Sequence, residues 1–197
     1  MLHGYGADAR DLFSLVDELN PKLLAISIQA PIELPFGGYA WYHLEQTATG
    51  LREDPTSRAA TEELLASELL EIIHESGGSP SNIFLLGFSQ GTAMVYGLLA
   101  RGNLAMRGLT LRGVAALSGY VPDHIQPMLR DSRFVQLPIF IGHGELDGIV
   151  PVKASEIAEE LLQDSQSILT NKLYPIAHGI SPEELDDLAQ WMDAIIE

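Results

Sequence analysis

The hydrophobic and polar positions of the chain follow two alternating periods. Apolar residues recur every three or four positions from Asp8 to Leu19 and from Ser57 to Glu75, which predicts two amphipathic helices. Short apolar runs bounded by glycine, proline or polar residues predict buried strands. The strands expected on this basis are 23–29, 83–88, 113–117, 138–141 and 168–174, and the later helices are 90–101, 152–163 and 181–196.

This alternation of strands and helices predicts an α/β fold with a mostly parallel sheet and helices on both faces. No stretch rich in Pro, Gly or Ser divides the sequence, so a single domain over residues 1–197 is expected. Residues 30–55 form a long predicted loop; a long loop in a compact domain is usually functional or disordered, and its several aromatic side chains favour a packed one. Ser181-Pro182-Glu183-Glu184 is a capping box that predicts the start of the last helix.

Composition narrows the class of protein. With 11 Lys+Arg and 27 Asp+Glu the net charge is −16, which disfavours binding to nucleic acid and to anionic membrane surfaces. Cysteine is absent, which excludes disulfides, thiolate metal sites and a cysteine nucleophile, and a cytoplasmic location is expected. No apolar run approaches the ~20 residues of a membrane span, and no signal-peptide pattern is visible, so stable membrane insertion is not expected.

The motif that points most directly to chemistry is Gly87-Phe88-Ser89-Gln90-Gly91, which fits G-x-S-x-G between a predicted strand and a predicted helix. The turn that presents such a serine is sharp, so a Cβ two residues to either side would collide with backbone. The N–H of Gln90 then points to the place where an oxyanion forms. These features predict Ser89 as a nucleophile.

A serine nucleophile needs a base, and the base needs a carboxylate to orient it. In this type of fold the chain order is serine, acid, histidine. His178 follows the last predicted strand and precedes the last helix, where a base on a loop is expected, whereas His143 at a strand end is interpreted as a packed residue and His124 as exposed. We therefore expect His178 to be the base.

Two carboxylates compete for the role of the acid. Asp147 and Glu145 both follow the predicted strand that ends near His143. Asp147 is favoured because the turn with Gly148 presents a short carboxylate, while the alternative is that Asp147 only caps the next helix. No close cluster of histidines and carboxylates indicates a metal site, so neither a metal nor another cofactor is predicted.

The segment Leu2-His3-Gly4-Tyr5-Gly6 precedes the first predicted helix and has the form H-G-x-G. Its glycines let the backbone approach a bound carbonyl, so an amide here, that of Leu2, is the expected second oxyanion donor. The spacing Gly4-x-Gly6-x-x-Ala9 also matches a loose dinucleotide fingerprint, but that motif requires a preceding strand and an acidic residue about twenty positions later. The dinucleotide alternative is therefore disfavoured.

Ordered segments along nearly the whole chain resemble one family, the phospholipase/carboxylesterase family of α/β-hydrolases, which includes the acyl-protein thioesterases. The resemblance implies an α/β-hydrolase fold and substrates that are carboxylic esters or thioesters, including acyl-proteins and lysophospholipids. The segments that carry it are Leu2-His3-Gly4-Tyr5-Gly6-Ala7-Asp8, Ala40-Trp41-Tyr42, Gly87-Phe88-Ser89-Gln90-Gly91, Leu117-Ser118-Gly119-Tyr120, and Gly142-His143-Gly144 with Asp147.

The same resemblance assigns roles to individual residues. It implies Ser89, Asp147 and His178 as the catalytic residues, and the amides of Leu2 and Gln90 as the oxyanion hole. It also implies that the loop before the long helix lines an acyl pocket, which suggests Trp41 and Tyr42 as substrate-binding residues, with plain core packing as the open alternative.

Two positions depart from the family pattern. Thr92 follows Gly91, the second glycine of the G-x-S-x-G motif, at a position where members of the family usually have a smaller residue. Members also have a central strand immediately before the Leu-His-Gly segment, whereas here only Met1 precedes Leu2. The sheet is therefore expected to lack that strand, so either the start is truncated or another segment fills the gap.

The sequence thus favours a serine esterase or thioesterase that acts through an acyl-enzyme on small-molecule or acylated-protein substrates. The alternative from a different class is a non-catalytic module that holds a ligand on a truncated hydrolase scaffold. Peptidase or amidase activity is a third hypothesis. An exposed apolar patch near the pocket mouth could also support a homodimer.

Overall fold

The computed structural model describes residues 1–47, 50–102 and 104–196. Within them, the strands are β1 (Ile32–Glu33), β2 (Tyr39–Ala40), β3 (Leu44–Thr47), β4 (Gly50–Glu53), β5 (Ile83–Phe88), β6 (Leu111–Leu117), β7 (Pro138–Gly144) and β8 (Ile168–Tyr174). The helices are α1 (Arg10–Phe13), α2 (Pro55–Glu75), α3 (Gln90–Arg101), α4 (Gln126–Asp131), α5 (Lys153–Leu162) and α6 (Pro182–Ile196), with short 3₁₀ turns at 16–18, 105–107 and 123–125.

The main sheet is parallel, with its strands in the order β5–β6–β7–β8. Successive side chains of a strand point to opposite faces, and the apolar runs of β5 to β7 supply both faces with core residues. Leu85, Val114 and Ile139 pack in a core cluster with residues of α2, α3 and α5. Leu86 and Phe140 pack in a second cluster with residues of α1 and α6. The predicted parallel sheet with helices on both faces is therefore confirmed.

The first third of the chain differs most from the prediction. The helix expected after Asp8 is reduced to α1 and a 3₁₀ turn, Val16–Glu18. The long loop at 30–55 contains two antiparallel hairpins, β1 with β2 and β3 with β4. Among the described residues, no helix is both long and apolar enough to cross a membrane.

The prediction of a strand at 23–29 is wrong, because the ladder pairing of this segment is confined to bonds with Met1 and one bridge between Leu2 and Ile28. Met1 donates from its amino group to Ile26 O (2.7 Å) and accepts from Ile28 N (3.1 Å). Leu2 bonds in turn to β5, donating to Leu86 O (2.8 Å) and accepting from Phe88 N (3.1 Å). Leu2 therefore links segment 23–28 to β5 as a single paired residue.

A groove of about 520 Å³ lies between segment 23–28 and the residues of β5 that precede its bridge with Leu2. Apolar side chains that include Leu23, Ile26, Ile73 and Leu85 line it. In a parallel ladder alternate residues direct their N–H and C=O groups to the same side, so β5 directs further peptide groups into this groove. The groove thus has the apolar lining and the backbone polarity of one strand position, and no strand of the described residues occupies it.

An apolar extension should therefore stabilise the fold. We expect a variant carrying five Val and Ile residues before Met1 to melt at least ~3 °C higher, which corresponds to about 1 kcal/mol for a protein of this size. The extension would pair with both walls of the groove and bury apolar side chains there. Thermal unfolding followed by circular dichroism measures this, with a Gly-Ser extension of equal length as the control. Equal melting temperatures for the two extensions would contradict the prediction.

Candidate active site

Ser89 lies at the sharp turn between β5 and α3. Its backbone angles, φ 54° and ψ −115°, are rare for any residue other than glycine. A Cβ on Gly87 would lie 2.6 Å from the backbone of Gly91, and a Cβ on Gly91 would collide with the carbonyl of Leu2. Both glycines of the G-x-S-x-G motif are thus required by close backbone approach, and the turn presents the Ser89 hydroxyl at the carboxyl edge of the sheet.

His178 lies within hydrogen-bond distance of both of its predicted partners. Its Nε2 is 3.0 Å from Ser89 Oγ, and its Nδ1 is 2.7 Å from Asp147 Oδ2. A carboxylate accepts, so Nδ1 carries the proton and Nε2 is left to accept from the serine hydroxyl. The His178 side chain is 19% exposed, whereas the Asp147 side chain is fully buried. The structure thus brings these three residues together.

Asp147 is held by the backbone as well as by the histidine. Its Oδ1 accepts from Ile149 N (2.9 Å) and Val150 N (2.8 Å), which leaves Oδ2 free for His178. The competing acid Glu145 is exposed. His143 is buried and its Nε2 donates to Val150 O (2.8 Å), so the packed role expected for it is confirmed. No three metal-ligating side chains converge among the residues described.

The structure contradicts the prediction for Leu2. Its N–H donates to Leu86 O, so this amide belongs to the sheet and cannot also bind an oxyanion. Gln90 differs, because it is the first residue of α3 and the first N–H groups of a helix have no acceptor within that helix. Of the two predicted donors, only the Gln90 amide is therefore available.

The residues after His3 form a turn that supplies another candidate donor. Ala7 N donates to Gly4 O (3.3 Å), and Gly6 has φ 80°, which together define a type II turn with Tyr5 at its second position. A Cβ on Gly4 would lie 3.4 Å from Ser89 Cβ, so the turn starts against Ser89. The N–H of Tyr5 has no acceptor within the described part of the chain. The sequence signal for this turn was the Gly4-x-Gly6 spacing.

The chain is similar to known proteins over nearly its whole length. Residues 1–196 match the model of one protein family, described as Phospholipase/Carboxylesterase. The chain belongs to this family. The predicted α/β-hydrolase fold is thereby confirmed, because the match covers nearly every residue and the chain has the parallel sheet and the sharp turn at Ser89 described above.

Relatives of this phospholipase/carboxylesterase family member carry related names. A probable carboxylesterase of Oryza sativa subsp. japonica is 31% identical over 212 residues, covering 97% of this chain and 85% of the rice protein. Acyl-protein thioesterase 1 of Saccharomyces cerevisiae is 35% identical over 123 residues, covering 60% of this chain and 52% of the yeast protein. The chain is thus similar to the rice protein over most of the length of both, whereas its match spans about half the length of the yeast protein.

Solved structures show the same likeness. Esterase PE8 superposes with a TM-score of 0.75 at 28% identity, covering 98% of this chain and 90% of that one. A Bacillus cereus carboxylesterase superposes with a TM-score of 0.81 at 22% identity, covering 98% and 86%. The second likeness concerns the fold alone, and the first adds to the family assignment.

Trp41 and Tyr42, the predicted substrate-binding residues of this family member, lie in the core. The Trp41 side chain is 1% exposed and Tyr42 is fully buried. The Tyr42 hydroxyl is 2.5 Å from that of Tyr120. Core packing, the alternative left open by the sequence, is thus what the structure describes, and a contact between these residues and a substrate stays a prediction.

His3 is a buried neutral residue beside the turn. Its Nδ1 lies 2.8 Å from Gly4 O, which can only accept, and its Nε2 accepts from Ala30 N (3.1 Å). Burial lowers the pKa of His3 below its usual value. Both ring nitrogens therefore have fixed roles in one tautomer, and His3 is a structural histidine rather than a second base.

Glu184 is a residue whose behaviour the sequence did not indicate. The capping box is only half formed: Ser181 Oγ accepts from Glu184 N (3.1 Å), but the Glu184 carboxyl has no hydrogen-bond partner among the described residues. The side chain is fully buried against Gly142 of β7, where a Cβ would collide with it. Burial raises the pKa of Glu184 to about 7.

This raised pKa predicts a pH-dependent cost to stability. Because the folded state holds the Glu184 proton more tightly than the unfolded chain, the free energy of unfolding should fall as pH rises from 4.5 to about 7. We expect Glu184→Gln to stabilise the protein at pH 8 by up to about 3 kcal/mol and to have little effect at pH 5.

Urea unfolding at the two pH values measures the difference. Glu183→Gln is the matched control, because it makes the same change at the adjacent, exposed position. An equal gain from both variants would contradict the assignment of the effect to the buried carboxyl.

Proposed function

We propose that this protein is a serine hydrolase that cleaves carboxylic esters or thioesters through an acyl-enzyme. The observation that carries the proposal is the continuous chain of contacts from Ser89 Oγ through His178 to Asp147, at 3.0 and 2.7 Å. Membership of the phospholipase/carboxylesterase family supports the substrate class. The formed contacts also disfavour the alternative of a ligand-binding module without turnover.

The tautomer of His178 sets the direction of proton transfer. Its Nε2 takes the Ser89 proton as Oγ attacks the acyl carbonyl, and Asp147 stabilises the resulting imidazolium. The same proton then passes to the leaving alcohol or thiol, and an acyl-enzyme remains on Ser89. Water attacks this acyl group with His178 again as the base, which restores the free serine and releases the acid.

Each tetrahedral intermediate carries a negative oxygen that needs preorganised donors. The N–H of Gln90 supplies one. We assign the second to the N–H of Tyr5, because the type II turn starts against Ser89 and does not itself use this amide. The oxyanion hole thus joins the start of α3 to the turn after His3.

The serine mechanism is tested by labelling and turnover together. We expect Ser89→Ala to lower the hydrolysis of p-nitrophenyl acetate by several orders of magnitude and to abolish labelling by a fluorophosphonate, because only an activated serine reacts. Ser67→Ala, on the exposed face of α2, is the control and should retain both. Full activity in Ser89→Ala would disprove the proposal.

The second donor is tested by removing one N–H. Proline is favoured at the second position of a type II turn, so Tyr5→Pro should preserve the turn while deleting the amide hydrogen. We expect kcat to fall by about 10²–10³. Tyr5→Ala keeps the N–H and serves as the control for loss of the side chain. If Tyr5→Pro and Tyr5→Ala had the same kcat, the donor would not be Tyr5.

A further inference from the structure

The two proposed oxyanion donors, the N–H groups of Tyr5 and Gln90, belong to segments far apart in sequence. Other contacts must therefore hold these two N–H groups at a fixed distance from each other. Preorganised donors act only while their positions are fixed, and a displacement of about 1 Å can cost 10²-fold in rate. The contacts around Trp41 connect the two segments. The inference drawn from them rests on the proposed function and names residues that act on the same site.

The connection begins at the Gln90 side chain, whose residue also supplies the first donor. Gln90 Oε1 accepts from Trp41 N (2.8 Å), and its Nε2 donates to Tyr42 O (2.9 Å). Gln90 is buried, so both bonds are shielded from water. The amide side chain thus clamps the backbone of residues 41 and 42 to the start of α3.

The Trp41 side chain continues the connection towards the turn. Its indole Nε1 donates to His3 O at 2.8 Å, and the two rings lie 5.4 Å apart. The His3 ring donates in turn to Gly4 O, the first residue of the type II turn. A Cβ on Gly91 would collide with Leu2 O and lie 2.8 Å from His3 O, so α3 and this segment also touch directly.

These contacts form a continuous path that starts at the Gln90 amide and runs through the Gln90 side chain, Trp41 and His3. The path ends at the turn that contains Tyr5. Gln90, Trp41 and His3 are buried, and each of these bonds has an unambiguous donor and acceptor. We propose that Trp41 and the Gln90 side chain are positioning residues, which hold the Tyr5 amide at a fixed distance from the Gln90 amide. The indole N–H acts on the His3 carbonyl and not on Ser89.

Trp41→Phe tests the indole contact, because it removes the N–H while keeping an aromatic ring in the core. We expect kcat for p-nitrophenyl acetate to fall about tenfold, the equivalent of ~1.4 kcal/mol, with KM changed less than about twofold. The pH profile of kcat should keep its midpoint, because the contacts of His178 are untouched.

A trifluoromethyl ketone supplies a readout that loss of stability alone would not move. Ser89 Oγ adds to the ketone carbon, the serine proton passes to His178, and the former carbonyl oxygen becomes an anion in the oxyanion hole. Its inhibition constant should rise in Trp41→Phe by the factor by which kcat/KM falls.

The chain offers a matched control in its second tryptophan. Trp191 of α6 packs on the opposite face of the sheet, with ring centroids 6.1 Å from Phe84 and 5.7 Å from Phe140. Trp191→Phe removes the same atoms from the core and should lower the melting temperature without changing kcat or ketone affinity. Assays are run well below both melting temperatures. Equal losses of kcat in Trp41→Phe and Trp191→Phe would overturn the proposal.

Gln90→Ala tests the other end of the path, since it keeps the backbone donor and deletes the clamp. Because the two side chains act in series, the double variant should lose less than the product of the single losses. Strictly multiplicative losses, or a wild-type kcat in Trp41→Phe, would overturn the inference. Fluorophosphonate labelling of the unsubstituted protein separates the two ideas: without labelling of Ser89 the proposed function fails, whereas with it only the positioning role is at issue.

Discussion

The site depends on one strained backbone position. Ser89 has φ 54° and ψ −115°, which an isolated chain would avoid. The conformation persists because its neighbours over-determine it: the Ser89 N–H donates to Leu117 O (3.0 Å), and its carbonyl accepts from Thr92 N (3.0 Å). Thr92 Oγ1 further lies 2.7 Å from Gly87 O and 2.9 Å from Leu117 O. Packing between β5, β6 and α3 thus determines where the Ser89 hydroxyl points.

Once the serine is fixed, the other groups need only reach it from neighbouring strand ends. Asp147 follows β7 and His178 follows β8, and the carboxyl ends of parallel strands meet at one edge of the sheet. The backbone amides at 149 and 150 occupy one oxygen of Asp147, so the other oxygen orients the imidazole. The orientation of the His178 imidazole is therefore set by backbone groups acting through Asp147.

Sequence reasoning located elements well where the pattern was local. The ranges of β5, α3 and β8 agree with the prediction, because apolar runs and glycine stops act over a few residues. It failed for Leu2 and for segment 23–29, because whether an N–H is free, or whether a strand forms, depends on a partner far away in the chain. The half-formed capping box at Glu184 has the same cause, since packing against β7 outweighs a local motif. The contacts of Trp41 likewise join three described segments of the chain, and no local sequence pattern includes all three.

Leu2, which the sequence suggested as a donor, instead anchors the start of the turn at residues 4–7 to β5. Both of its backbone groups bond to residues that flank Gly87, so the segment that follows inherits the register of β5. If Leu2 paired with β5 one residue out of register, the turn would shift by about 3.3 Å and its side chains would point to the opposite face of the sheet. An oxyanion hole could not form from the shifted turn. The sheet therefore places the start of the turn beside Ser89, and the contacts of His3 and Trp41 hold the rest of the turn in position.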